Sequence, residues 1–174
     1  GPRCAAVVRN QIAFGLIMTT LRLRPFLLVL CAAFTAHAVT IWVEGEQPAR
    51  SDVTRHSWYN SVKTDALSGG AWLSHYDRSK PGTAEYDILV PETRNYTFWL
   101  RGNPHTAKVS YRIDQGPWTE IDWKKDFREY MNIAADNKFD MRFLEWVKLG
   151  VVRLEQGTRT ISFKTESEVE NHGA

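Results

Sequence analysis

Cysteine is nearly missing from this chain: Cys4 and Cys31 are the two in 174 residues, and both fall within the first 38. Everything after residue 38 can form neither a disulfide nor a thiolate metal site. Its stability must come from packing, with at most a hard metal ion in support. Acidic residues are missing from the same first 38, whose charges are Arg3, Arg9, Arg22 and Arg24. The whole chain stands at +2, but taking those four from the 22 Lys and Arg leaves 18 against 20 Asp and Glu. A body so close to neutral gives no electrostatic ground for a nucleic-acid partner. Long apolar runs are lacking as well. The run Phe26 to Phe34 is well short of the about 20 residues a helix needs to cross a bilayer, so stable membrane insertion is not expected. No Gly-x-Ser-x-Gly, His-Glu-x-x-His or phosphate-cradling glycine motif occurs, which removes the sequence signatures of several hydrolase and nucleotide-binding classes.

What is present is aromatic and alternating. Hydrophobic residues make up 43% of the chain and aromatics 12%, enough for one domain with a sizeable core. All seven Trp and all six Tyr follow residue 38, so part of them is core and part is available to a binding surface. The stretch Thr83 to Asp122 reads as four successive short strands. Ala84, Tyr86, Ile88 and Val90 recur at every second position, then Tyr96, Phe98 and Leu100, then Ala107, Val109, Tyr111 and Ile113. Pro91-Glu92, Gly102-Asn103-Pro104 and Asp114-Gln115-Gly116-Pro117 supply the turns. Trp99 and Arg101 fall on the face opposite Tyr96 and Phe98, placing an aromatic beside a cation. The fold class that follows is all-β, a β-sandwich.

In chain order, residues 18–38 have the three regions of a secretory signal: Arg22 and Arg24, the apolar run, then Ala36-His37-Ala38. Cleavage is expected after Ala38, giving a secreted or periplasmic protein; a retained signal anchor is the rival. Residues 1–17 precede Met18 and show no folding logic of their own, as an upstream extension with Met18 as the true start would explain. Thr40 to Glu46 is the first strand of the domain spanning 39–174. Glu44 and Glu46, two residues apart, project to one side of an extended chain and could together grip a hard cation. Solvated acids on an edge strand are the alternative. Residues 47–70 form a long loop with a helical turn near Val62 to Leu67; its Trp58 and Tyr59 can stack on a polar ligand, or Trp58 can plug one end of the sandwich. Ala71 to Tyr76 reads as a short strand. Residues 124–131 suit a short helix, and Asp136, Asn137 and Asp140 weakly resemble calcium ligands without the regular loop spacing. Arg142 to Leu154 resumes strand composition with a bend or bulge at Gly150. Arg159 to Lys164 follows with Ile161 and Phe163 inward, and the sequence stops where a further strand is expected.

The order of WVEGE, the Gly-Gly-x-Trp strand, AEYDILVPETRNYTFWLRGNP, VSYRIDQGPW, LEWVKLGVVRLEQGTRTISF and ENHGA resembles a non-catalytic carbohydrate-binding module of the galactose-binding-like jelly-roll type, similar to families 6 and 35. It covers essentially residues 40–174. The resemblance implies a structural calcium held in part by Glu44 and Glu46. It also implies a loop-end ligand site that matches Tyr76 or Tyr59, Trp146 and Asn171 by position; His172, next to Asn171, either adds a hydroxyl contact or is solvated loop. Such a domain is monomeric, takes polysaccharide or another glycan as its partner, and belongs to a larger protein. A sugar's CH face packs on an aromatic ring while its hydroxyls need paired donors and acceptors, which an Asn amide supplies. Trp146 lies in an apolar strand and is an equal candidate for the core.

Two other functions use the same residues. A jelly-roll glycosidase or lyase would draw on Glu145, Asp87, His75, Tyr76 and Arg101, a glycosidase needing two carboxylates about 5 to 10 Å apart. A protein-interaction or adhesion module would use the exposed loop aromatics.

Overall fold

The computed structural model describes residues 5–9, 39–54, 61–75, 77, 79–103, 108–124 and 127–166, with the backbone alone for 5–9 and 127. The strands are β1 (Ala5–Arg9), β2 (Ile41–Glu44), β3 (Arg50–Ser51), β4 (Gly82–Val90), β5 (Arg94–Gly102), β6 (Lys108–Ile113), β7 (Thr119–Glu120), β8 (Phe127–Asn132), β9 (Phe143–Leu154) and β10 (Gly157–Glu166). They form two five-stranded sheets: sheet A in the order β2-β1-β5-β9-β8 and sheet B in the order β3-β4-β10-β6-β7. Every pairing is antiparallel. The expected all-β sandwich is therefore the fold.

Period-two alternation sets which side chains enter the space between the sheets. Ala84, Tyr86, Ile88 and Val90 of β4 are buried while Asp87 and Leu89 between them are exposed. Tyr96 and Phe98 of β5 are at most 1% exposed, and they meet Val109, Val147, Leu154 and Ile161 in one cluster. Burying each such side chain contributes roughly 1.5–3 kcal/mol. Phe98 packs edge-on to Tyr111 at 5.2 Å between centroids, and Tyr86 to Phe163 at 5.8 Å. The expected irregularity at Gly150 is present: the β5–β9 register shifts between Phe98, opposite Gly150, and Trp99, opposite Lys148. Gly150 takes φ 125° there.

Four local expectations change. Residues 124–131 do not make a helix; Phe127–Asn132 is β8, the edge strand of sheet A, paired to β9 with a register break between Arg128 and Met131. Glu129 in that break has φ 58°. The Lys, Arg and Glu there favour helix only weakly, and pairing with an open β9 edge overrides them. Ala71 to His75 is extended but not a strand. Trp72, Ser74 and His75 are all buried, because this segment lies against the rest of the molecule on both sides. The helical turn near Val62 to Leu67 is two 3-10 turns, Thr64–Ala66 and Ser68–Gly70. Finally, Ala5–Arg9 is not idle: it pairs with β2 on one side and β5 on the other.

A second, smaller core joins Val62, Leu67 and Trp72 to Ile133 and Leu144. Backbone bonds from Lys63 to Ile133 and from Ala135 to Ser61 hold that loop in place. Leu144 and Trp146 share one face of β9, so this core covers one end of the outer face of sheet A. The rest of that face is where the candidate site lies.

Candidate functional site

Ile41 and Val43 of β2 pack on the main core, so Trp42 and Glu44 between them face outward. The Trp42 indole N–H donates to Glu44 Oε1 at 2.9 Å, and Trp42 is 39% exposed. Its ring meets Trp146 at 6.1 Å between centroids and 64° between planes. Trp146 lies directly opposite Arg101 of β5 and Arg128 of β8, so all three share the outer face. The Arg101 guanidinium sits 5.7 Å from the Trp146 ring centroid and reaches Met131 Sδ at 3.5 Å. One strand position along, Trp99 lies opposite Lys148 and carries the Arg128 guanidinium at 5.5 Å from its centroid. Trp146 is thus partly exposed on a sheet face, and the aromatic-beside-cation pairing expected at Trp99 and Arg101 becomes a patch of three tryptophans and three cations.

Glu44 connects this patch to a second feature. The chain turns at Gly45-Glu46, and Tyr86 donates its hydroxyl to the Gly45 carbonyl at 2.6 Å. Glu44 Oε2 and both carboxylate oxygens of Glu46 are buried, and no other residue donates a hydrogen bond to them. Burial pushes the Glu46 carboxyl above its ordinary value; its own backbone bond opposes this and the nearby Glu44 charge adds to it. Buried carboxylate oxygens with no donor normally have a cation against them. The two acids therefore fit as a pair of ligands to calcium, which takes six to eight oxygens. No cluster of three or more His, Cys, Asp or Glu occurs among the described residues. The remaining oxygens would be carbonyls or water.

Asp136 and Asp140, by contrast, are filled by a protein cation. The Arg142 guanidinium bonds Asp136 at 2.7 Å and Asp140 through Nε at 2.9 Å. The Asp140 carboxyl is held at about 2, first by the Arg142 side chain. Asn137 accepts from Lys63. That loop is closed by ion pairs.

The residues an enzyme would need are dispersed. Asp87 faces outward on sheet B, where Arg50 bonds it at 2.8 and 2.9 Å and Thr160 donates to it at 2.8 Å. Glu145 is buried on β9 of sheet A, where desolvation raises its carboxyl. Asp87 thus faces away from Glu145, with sheet B between the two. His75 is 1% exposed and spoken for on both nitrogens. The Thr54 N–H donates to Nδ1 at 3.3 Å, which leaves Nε2–H to donate to the Lys80 carbonyl at 2.9 Å. Trp58, Tyr59, Tyr76, Asn171 and His172 lie outside the described residues. Of the residues expected to bind ligand or metal, the structure brings Trp146, Glu44 and Glu46 into one neighbourhood. Trp42 joins them unannounced by the sequence reading; its signal was its position between two inward residues of the first strand and its indole two residues from Glu44.

Among the described residues no helix is long and apolar enough to cross a membrane. No family model, curated protein or solved structure matches the chain.

Proposed function

We propose that this chain is a secreted, non-catalytic carbohydrate-binding module of jelly-roll type that attaches to polysaccharide, with calcium on Glu44 and Glu46 as a structural ion. The observation that carries the reading is the Trp42–Trp146 pair on the outer face of sheet A, with Arg101 over one ring and Glu44 fixing the other. Two large indoles held at 64° to one another present an angled apolar surface, and one ring can take the CH face of a sugar. The adjacent guanidinium and carboxylate are suited to hydroxyls. Calcium would neutralise the two buried carboxylates and fix the turn after β2, holding Trp42 in place; it has no part in any reaction.

The test is affinity electrophoresis of the full chain through gels containing a panel of soluble plant and algal polysaccharides, with calcium and with a chelator. Retardation on at least one polymer is expected. Trp42→Ala or Trp146→Ala should weaken it by roughly tenfold to a hundredfold, the usual range when a central aromatic anchor is removed. No retardation on any polymer overturns the reading and favours a protein-interaction role for the same face.

A further inference from the structure

The two outer faces of the sandwich treat their charges differently. On sheet B each cation near the centre has an acid. Arg50 bonds Glu85 and Asp87, Arg112 lies 3.8 Å from Glu85, and Lys164 lies 3.2 Å from Glu166. The Trp118 ring on that side has Arg112 and Lys164 over it, but both are neutralised at the same time. On sheet A the Arg128 guanidinium lies over the Trp99 indole, with Lys148 opposite Trp99 on β9. Arg128 and Lys148 are exposed and pair with no carboxylate among the described residues; both adjoin Trp99. At the described outward positions of β2, β5 and β9 the one carboxylate is Glu44, whose Oε1 is taken by Trp42, and on β8 the exposed Glu129 sits in the register break after Arg128, so that three cations stand against at most two acids. The face is therefore apolar and positive together.

We propose that the outer face of sheet A binds a sulfated polysaccharide. The inference rests on the glycan-binding reading and names the class of glycan. A positive sheet face calls for an anionic polymer by charge complementarity. The tryptophans decide which anion. A guanidinium is weakly hydrated, and beside an indole it gives up little water to a large anion of diffuse charge. A carboxylate is the smaller and more strongly hydrated anion, and it loses more on being brought against the same apolar surface. A sulfate ester also stays ionised at every physiological pH. Along a chain of sugars, CH faces would lie on the Trp42–Trp146 pair, with the ester groups at Arg128 and Lys148 beside Trp99.

The experiment runs the full chain through gels containing a sulfated galactan, a polyuronate of matched charge density, or neutral agarose, and titrates it separately with single-stranded oligothymidylate. Strongest retardation is expected in the sulfated galactan. It should fall by roughly tenfold in the Arg128→Gln/Lys148→Gln double variant, and steeply as salt rises from about 0.05 M to about 0.5 M. Circular dichroism of the variant, with both changes at exposed positions, is expected to match the parent. Equal or stronger retardation by the polyuronate overturns the sulfate assignment, and so does binding to oligothymidylate of equal strength. An unchanged affinity in the double variant overturns the surface. Retardation by agarose alone leaves the glycan-binding reading standing and sinks this proposal, whereas absence of retardation in every gel sinks both.

Discussion

Glu46 is the residue with the most to say about function, because its cost and its use are the same fact. A carboxyl whose folded pKa is raised holds its proton more readily in the fold than in the unfolded chain. Stability then rises as pH falls from neutral through that raised value toward the ordinary 4.5, and is level below it. Asp87 and Asp140 act oppositely. Their carboxyls, held at about 2 against an ordinary 3.8 chiefly by Arg50 and Arg142, contribute stability present above 3.8 and lost as pH falls toward 2. Thermal melts in chelator should show a midpoint that climbs on acidification from pH 7 and collapses at the acid end. Glu46→Gln should reduce the climb to the share left by Glu145, whose carboxyl burial also raises, and keep the collapse, and calcium should flatten the climb in the parent by favouring the deprotonated pair. A parent profile indifferent to calcium would remove the metal. A second residue, Gly82, tests the buried histidine. A Cβ there would lie 2.3 Å from His75 Nδ1, and the ring cannot retreat without losing its bonds to Thr54 and Lys80. Gly82→Ala should cost about 1–3 kcal/mol, read as a lower midpoint. In the fold Gly82 opens β4. Its real constraint is contact with a ring seven positions away, and nothing in local composition signals that.

At the scale of elements, the strands β4, β5, β6, β9 and β10 were legible because each has one buried face, and a buried face forces period two. The bulge was legible for a related reason: Gly150 interrupts an apolar strand, and its φ of 125° is one that other residues rarely adopt. Two of the readings that changed, a helix over 124–131 and a strand over 71–76, lie where burial is set by distant partners. Phe127–Asn132 becomes a strand because β9 offers an edge. Trp72, Ser74 and His75 are buried together because they are enclosed on more than one side. The site was half legible for the same cause. Glu44, Glu46 and Trp146 follow from motif order, whereas the meeting of Trp42 with Trp146 depends on sheet order. The bulge can be tested cleanly, since a Cβ at Gly150 or at Gly45 would meet nothing within 4 Å. Gly150→Ala should cost about 1–3 kcal/mol through backbone strain alone, while Gly45→Ala, without a positive φ, should stay within about 0.5 kcal/mol. Equal midpoints for the two variants in chemical denaturation would deny that the φ at Gly150 is what matters.

At the scale of the molecule, the strand order of sheet A ties the proposed binding face to the far N-terminus. β2 carries Trp42 and Glu44, and its partner in the sheet is β1, which in turn pairs with β5. Cleavage after Ala38, as the signal-like residues 18–38 suggest, would release Ala5–Arg9 and leave β2 without that partner. It would also expose the backbone groups of β5 that β1 covers. Unpaired ladder groups and a detached edge are costly. With six residue pairs lost and roughly 0.5–1.5 kcal/mol net per hydrogen bond, a chain beginning at Val39 should be less stable than the full chain by on the order of 3 kcal/mol. Its midpoint should fall by roughly 6–12 °C. Ile41 and Val43 remain packed on the core, so β2 need not leave altogether. What changes is how firmly Trp42 is held against Trp146, and glycan retardation of the two chains reads that directly. Equal melting and equal retardation would mean that the slot between β2 and β5 is closed by something other than β1. The signal reading and the binding face would then stand together. A shorter chain that melts lower and binds less would mean that β1 completes the site, and the mass of the secreted protein would show whether cells keep it.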